Sequence, residues 1–269
     1  TEIGSNEEEV TMLLDSGYEH ALVAADSDYS PGKSSSSENT GEQFFAGFLT
    51  GGGNQGTIYL DDLSVGGLKA SKFAFGYTKN RDFSGNQKLG GILGMSLPGH
   101  VDYVPAFKSH GWGGFIQTLK NQGVIDEAMY QMTLKGDGGK LSIGEVDDSQ
   151  YKGDLETLMN TGKAYGHCGF KGTLNGEKHN FLLDSGTTGI AGSYDSVKKF
   201  LQGMSGVELV EEDKRGSVTG KVDCDSMPSF KISVDGKFDV KLSDDVMKKY
   251  DLGLSLIHIS EPTRRTPIS

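Results

Sequence analysis

Polar and apolar residues alternate along much of this chain, and the clearest case lies near its C-terminal end. Phe230, Ile232 and Val234 alternate with polar residues, Asp235-Gly236 follows, and Phe238, Val240 and Leu242 alternate again. Two period-two runs around an Asp-Gly pair predict a hairpin that buries one face. Residues 43–49 and 57–60, flanking a glycine-rich turn, also read as strands, as do 69–75, 129–134 and 141–143. Helical spacing is confined to two short segments. One covers 114–120 and is closed by Gly123; the other covers 194–202, with Ser193 as N-cap and Gly203 past the end. The serine run 34–37 is low in complexity and predicts a solvated loop.

Composition sharpens this into a mainly β fold. The chain has 269 residues, with 40 Gly and 6 Pro, enough for either one large domain or two lobes. Its formal net charge of −11 argues against nucleic acid or an anionic membrane surface as partner. No apolar run of about 18 residues is present, so no membrane-spanning helix is expected. No secretory leader is recognisable, but the chain opens within a strand pattern, so this says nothing about export.

The candidate chemistry is carried by a repeat. Leu13-Leu14-Asp15-Ser16-Gly17 recurs letter for letter as Leu182-Leu183-Asp184-Ser185-Gly186. An apolar run ending in Asp-Ser-Gly is a strand that delivers a carboxylate to a tight turn. The glycine permits a sharp turn and close approach of main-chain N–H groups to the carboxylate, and the serine hydroxyl can bond across to the other turn. A single Asp-Ser-Gly is an ordinary β-turn; two in equivalent contexts point to an internal duplication and a facing pair of carboxylates.

Other constellations do not assemble. Gly51-Gly52-Gly53-Asn54-Gln55-Gly56 fits G-x-G-x-x-G, but Thr57-Ile58-Tyr59-Leu60 follows as a strand instead of the helix a dinucleotide site requires, so a hairpin tip is expected. The histidines at 20, 100, 110, 167, 179 and 258 form no zinc spacing and read as surface or structural. Ser96 lacks the closing glycine of a nucleophile elbow. Cys168 and Cys224 could pair only if their Cα atoms came within about 7 Å; a buried free thiol is the simpler expectation.

Beyond the two turns, a series of motifs in order resembles the pepsin-like aspartic proteases over about residues 1 to 250. Ile3-Gly4-Ser5-Asn6 through Asp15 resembles the family's first hairpin, and Asp61, Val65-Gly66-Gly67 and Phe73-Ala74-Phe75-Gly76 resemble the strands after the flap. Gly91-Ile92-Leu93-Gly94-Met95 is similar to the element packed behind the first Asp loop. Gly139-Lys140-Leu141-Ser142-Ile143-Gly144, with Asp147, Tyr151 and Gly153, resembles the segment crossing between lobes. Thr187-Thr188-Gly189 follows the second Asp as in the family, and Cys224, Met227-Pro228 and Phe230 resemble late C-lobe strands.

The resemblance implies two β-barrel-like lobes with a cleft between them, incomplete at both ends: residues 1–155 with the first Asp and the flap, a partial lobe at 156–253, and 254–269 as a non-native tail resembling translated vector sequence. It implies an aspartic endopeptidase in which Asp15 and Asp184 activate a water at acidic pH. Ser16, Gly17, Tyr18, Ser185, Gly186 and Thr187 would shape the turns, and Ile92, Leu93 and Gly94 would brace the first. Phe48, Leu49, Thr50, Gly51 and Gly52 would form the flap over bound peptide. No metal or organic cofactor is implied. The expected partner is a peptide or protein substrate, the expected state a monomer, and the expected location secreted or vacuolar/lysosomal. It implies too that Cys224 matches a cysteine whose usual partner lies further toward the C-terminus.

Several positions depart from the pattern. Phe48-Leu49 stands where the flap Tyr is usual, Leu22 where a Trp often partners it, and Tyr18 where a small hydroxyl residue supports the first Asp. A second apolar-apolar-Gly element is absent. These departures leave two alternatives in play: a weakened homologue that binds peptides without cleaving them, and a structural β-domain with duplicated turns.

Overall fold

The computed structural model describes residues 1–47, 53–79, 89–96, 98, 104–135, 138–162, 167–187, 191–212, 217–223 and 229–242. They form two packed units. The first comprises Thr1–Ala46, Gly53–Gly169 and Leu182–Gly186; the second comprises Phe170–Phe181 and the described residues from Thr187 onward.

The first unit is built on a sheet of eight strands: β1 (Glu2–Ile3), β2 (Glu8–Glu9), β3 (Met12–Asp15), β4 (Ala21–Ala24), β5 (Glu38–Gly47), β6 (Gly53–Val65), β7 (Leu68–Thr78) and β8 (Gly91–Gly94). Their order is β2-β1-β6-β7-β4-β8-β3, with β5 paired to β6. β4 and β8 are the two runs buried at every residue, as expected of short apolar strands with neighbours on both sides. β8 runs parallel to β3 with Leu13 opposite Ile92, Leu14 opposite Leu93 and Asp15 opposite Gly94. This register sets the predicted bracing element directly beside the first Leu-Leu-Asp.

Three expectations need correction. The strands around the glycine-rich segment are longer than the apolar pattern suggests, because cross-strand pairing extends them over polar residues such as Glu38 to Gln43. β6 begins at Gly53, so Gly53 to Gly56 belong to a strand and not to a hairpin tip; Gly53 is needed there because a Cβ would sit 2.8 Å from the Ala46 carbonyl oxygen. The serine run is not simply solvated. A 3-10 turn at Pro31–Lys33 leads into it, and the Ser36 hydroxyl donates to buried Asp61 at 2.5 Å while the Tyr29 hydroxyl donates to the other oxygen at 2.8 Å.

Two helices follow the sheet, α1 (Pro105–Ser109) and α2 (Phe115–Asn121). α2 matches the predicted helix, and Gly123 closes it at φ +70 with its N–H bonded to the Lys120 carbonyl. Phe115 and Leu119 of α2 join Ile3, Tyr29, Leu63, Phe73, Phe75, Leu93 and Met95 in the core. A two-stranded sheet of β9 (Tyr130–Lys135) and β10 (Gly138–Ile143) completes the unit.

In the second unit β11 (Gly169–Leu174), β12 (Glu177–Leu182), β15 (Phe230–Val234) and β16 (Phe238–Leu242) lie in the order β12-β11-β15-β16. The predicted hairpin is β15–β16, and its turn residues Asp235 and Gly236 both have positive φ, the geometry that matches strand twist. α3 (Tyr194–Gln202) packs Val197 and Leu201 on Val218, over the hairpin of β13 (Val207–Glu212) and β14 (Ser217–Val222). Ser193 occupies the N-cap position, but its hydroxyl donates to the Ser196 hydroxyl at 2.8 Å and caps no backbone N–H.

Candidate active site

Asp15 ends β3, and Asp184 follows two residues after β12, on the short stretch that packs with the first unit. Each carboxylate accepts the N–H two residues on: Gly17 to Asp15 Oδ1 at 2.8 Å and Gly186 to Asp184 Oδ1 at 2.9 Å. The glycines are dictated by the other turn. A Cβ on Gly17 would lie 2.6 Å from Asp184 Cγ, and one on Gly186 would lie 2.5 Å from Asp15 Cγ. Each carboxylate therefore rests on the opposite turn's glycine, which brings the two acids together as the repeat predicts.

The serines lock this arrangement crosswise. Ser16 Oγ donates to the Leu183 carbonyl at 2.8 Å and accepts from the Ser185 N–H at 2.9 Å. Ser185 Oγ donates to the Leu14 carbonyl at 2.6 Å and accepts from the Ser16 N–H at 3.0 Å. Four bonds related by an approximate two-fold join residues 167 to 171 positions apart.

The two halves are unequal. Asp15 is 7% exposed, and behind it the Met95 N–H bonds the Asp15 carbonyl at 2.8 Å and the Gly94 N–H the His20 carbonyl at 2.9 Å. The Asp184 approach is open: Leu182 and Leu183 are 48% and 54% exposed, with the Leu183 N–H held by the Cys168 carbonyl at 2.8 Å.

Burial, followed by the charge of Asp184, pushes the Asp15 carboxyl up to about 7. The Gly17 and Tyr18 N–H groups pull it down, while the side-chain hydrogen bond with Asp184 adds to the rise. Asp15 therefore keeps its proton in mildly acidic solution and gives it up as the pH rises through about 7. Tyr18 encloses its phenol oxygen beside this turn, and burial, then Asp15, raises its pKa. Tyr130 on β9 faces the same region; burial, then Cys168 and Asp15, push its phenol up to about 12. Nothing in the residue pattern singles out Tyr130, since it falls on an ordinary alternating strand.

Thr187 is half-buried at the start of the second unit. Ile92, Leu93 and Gly94 stand beside Leu13, Leu14 and Asp15 as expected. Phe48, Leu49, Thr50, Gly51 and Gly52 lie outside the described residues, as do Cys224 and 254–269. Cys168 is a free thiol. Among the described residues no group of three or more His, Cys, Asp or Glu is placed to hold a metal ion, and no described helix is long and apolar enough to cross a membrane.

Two carboxylates presented by identical, mutually locked turns define the site class of an aspartic protease. A family profile described as eukaryotic aspartyl protease matches residues 1–267, and the chain belongs to that family. It is 97% identical over 251 residues to a protein of Malassezia globosa named "Probable inactive secreted aspartyl protease", covering 93% of this chain and 64% of that protein. It is 31% identical over 210 residues to "Secreted aspartyl protease 1" of the same organism, covering 78% of this chain and 51% of that one. With "Secreted aspartic protease 3" of Candida albicans it shares 28% over 274 residues, covering 88% and 62%. The chain thus spans between about half and two thirds of the length of these relatives.

Proposed function

We propose that Asp15 and Asp184 hydrolyse peptide bonds in the longer protein to which this chain corresponds. The observation that carries the reading is the crosswise pair of turns, with each carboxylate seated on the other's glycine. The ionised member of the pair takes a proton from a water held between the two acids, while the protonated member donates a hydrogen bond to the scissile carbonyl. Attack of the water gives a tetrahedral diol, and breakdown passes a proton to the leaving nitrogen without a covalent intermediate. Ser16, Ser185, Gly17 and Gly186 hold the geometry, Thr187 orients Asp184, and residues 48–52 close over the peptide. The relatives' names support secretion of the longer protein, which we take to act as a monomer.

A second reading is favoured by Tyr18, which puts a large ring where the family has a small hydroxyl, and by the relative named "Probable inactive". In it the site binds peptides without turnover. The test is cleavage of an unfolded protein at acidic pH by the longer protein, with Asp15→Asn and Asp184→Asn each abolishing it. Activity surviving in either variant removes that residue from the chemistry, and binding of a statine-containing peptide inhibitor with no cleavage by the native protein selects the second reading.

A further inference from the structure

Five rings stand in a row between the Asp15 turn and β5. Tyr18 meets His20 edge-on, with centroids 6.0 Å apart at 88°. His20 stacks on Phe107 of α1 at 4.0 Å and 15°. Phe107, which is fully buried, meets Trp112 edge-on at 6.2 Å and 78°, and Trp112 stacks on His110 at 4.3 Å and 14°. His110 Nε2 ends the row 3.2 Å from Glu42 Oε1 on β5. The column is anchored at the other end by backbone: Tyr18 offers its N–H to the Asp15 carboxylate and its carbonyl to the Ser96 N–H at 3.0 Å.

Close-packed rings move as a set, because a gap of even half an ångström forfeits a large part of their contact energy. Tyr18 meets His20 and His20 stacks on Phe107, so a shift of the Tyr18 ring loads the rings behind it, and the Tyr18 backbone supplies one of the two N–H groups on Asp15. We propose that His20, Phe107, Trp112 and His110 are positioning residues for Asp15, and that Glu42 ties them to β5, so that hairpin β5–β6 and the carboxylate move together. This deepens the dyad reading and rests on it. The column takes up the support that a small hydroxyl residue would give, and it ties the turn to the hairpin that flanks residues 48–52.

The test reads Asp15 itself, through the pH titration of its carboxyl carbon by carbon-13 NMR on the whole chain, assigned by its loss in Asp15→Asn. The groups that face this carboxyl are Asp184 from the opposite turn, Tyr18 on its own segment with Glu19 beside that phenol, and Tyr130 of β9 with Cys168 beside it; none is altered. Glu42 and His110 have side chains 44% and 43% exposed, so Glu42→Gln and His110→Leu leave the core intact. Glu42→Gln is expected to move the Asp15 midpoint by about half a pH unit or more, and to move it no further when combined with His110→Leu or His20→Leu. A shift of equal size in every background would be Coulombic action through space and would overturn the column, as would no shift at all. If His20→Leu does not fold, the His110→Leu background decides alone. Cleavage takes no part in the readout: an Asp15 that responds as expected in a longer protein that cleaves nothing sinks the hydrolytic reading and leaves the column standing.

Discussion

Replacing Asp15 by Asn should stabilise the fold at neutral pH and leave it unchanged in acid. An aspartate in the unfolded chain titrates near its ordinary value of 3.8, whereas burial and Asp184 push the folded carboxyl up to about 7. Below 3.8 the group is protonated in both states and contributes nothing to their difference. Between 3.8 and about 7 the folded chain keeps a proton that the unfolded chain gives up, so stability falls as pH rises by about 1.4 kcal/mol per unit. Above 7 the whole cost is present, on the order of 4 kcal/mol. Asn has the size of Asp, keeps an oxygen for the Gly17 N–H, and can donate its amide to Asp184, so the variant removes the cost without opening a cavity. Urea unfolding of both chains at intervals from pH 3.5 to 8 measures this directly. The difference should be near zero in acid and grow to several kcal/mol at pH 8. A difference that is flat with pH, or a variant less stable than the native chain at pH 8, would refute the buried shared proton.

The remaining predictions concern the parts around the dyad. Gly186→Ala places a Cβ 2.5 Å from Asp15 Cγ, and should cost about 1–3 kcal/mol in urea unfolding while displacing the carboxylate in a crystal structure of the variant. Ser16→Ala leaves the Ser185 N–H and the Leu183 carbonyl without their partner at a site 6% exposed; it should cost about 1–3 kcal/mol, and more than Ser185→Ala at the exposed turn. Asn54 is fully buried with neither end of its amide hydrogen-bonded. Asn54→Leu should therefore be neutral or stabilising by up to about 2 kcal/mol, and a loss of more than 1 kcal/mol would mean that the amide is satisfied in solution.

Much of this site was legible in the residues, because the signal was a local motif occurring twice. Asp-Ser-Gly fixes a turn, the apolar run fixes its strand, and the repeat joins two turns, so the facing carboxylates and crossing serines follow from residue types. That Ile92-Leu93-Gly94 stands behind the first Asp turn was expected from the family resemblance, whereas the parallel register that sets Gly94 opposite Asp15 was not, because β3 is only half-buried and strand pairing is a long-range property. Helix α3 and hairpin β15–β16 announced themselves through periodicity and turn chemistry. What escaped depends on long-range pairing. The polar halves of β5 and β6 and the five-residue helix α1 carry no apolar period of their own, and β13 and β14 carry only a brief one, as at Val207 and Leu209, so all are ordered by neighbours. The serine run read as solvent-facing because only the fold brings Asp61 to Ser36. The ring column was invisible for the same reason: Tyr18, His20, Phe107, Trp112 and His110 are ordinary residues until α1 is laid across the start of β4.

The central claim is that Asp15 and Asp184 together activate a water against a peptide bond, and its most direct test is where that water's oxygen goes. The longer protein, incubated with an unfolded protein substrate at acidic pH in oxygen-18 water, should yield fragments whose new C-terminal carboxyl carries one labelled oxygen. Asp15→Asn and Asp184→Asn, shown to be folded by urea unfolding, should yield none. Saturable peptide binding by the native protein with no labelled fragment, under conditions where its fold is intact, would contradict the claim and leave a peptide-binding relative of the proteases in its place.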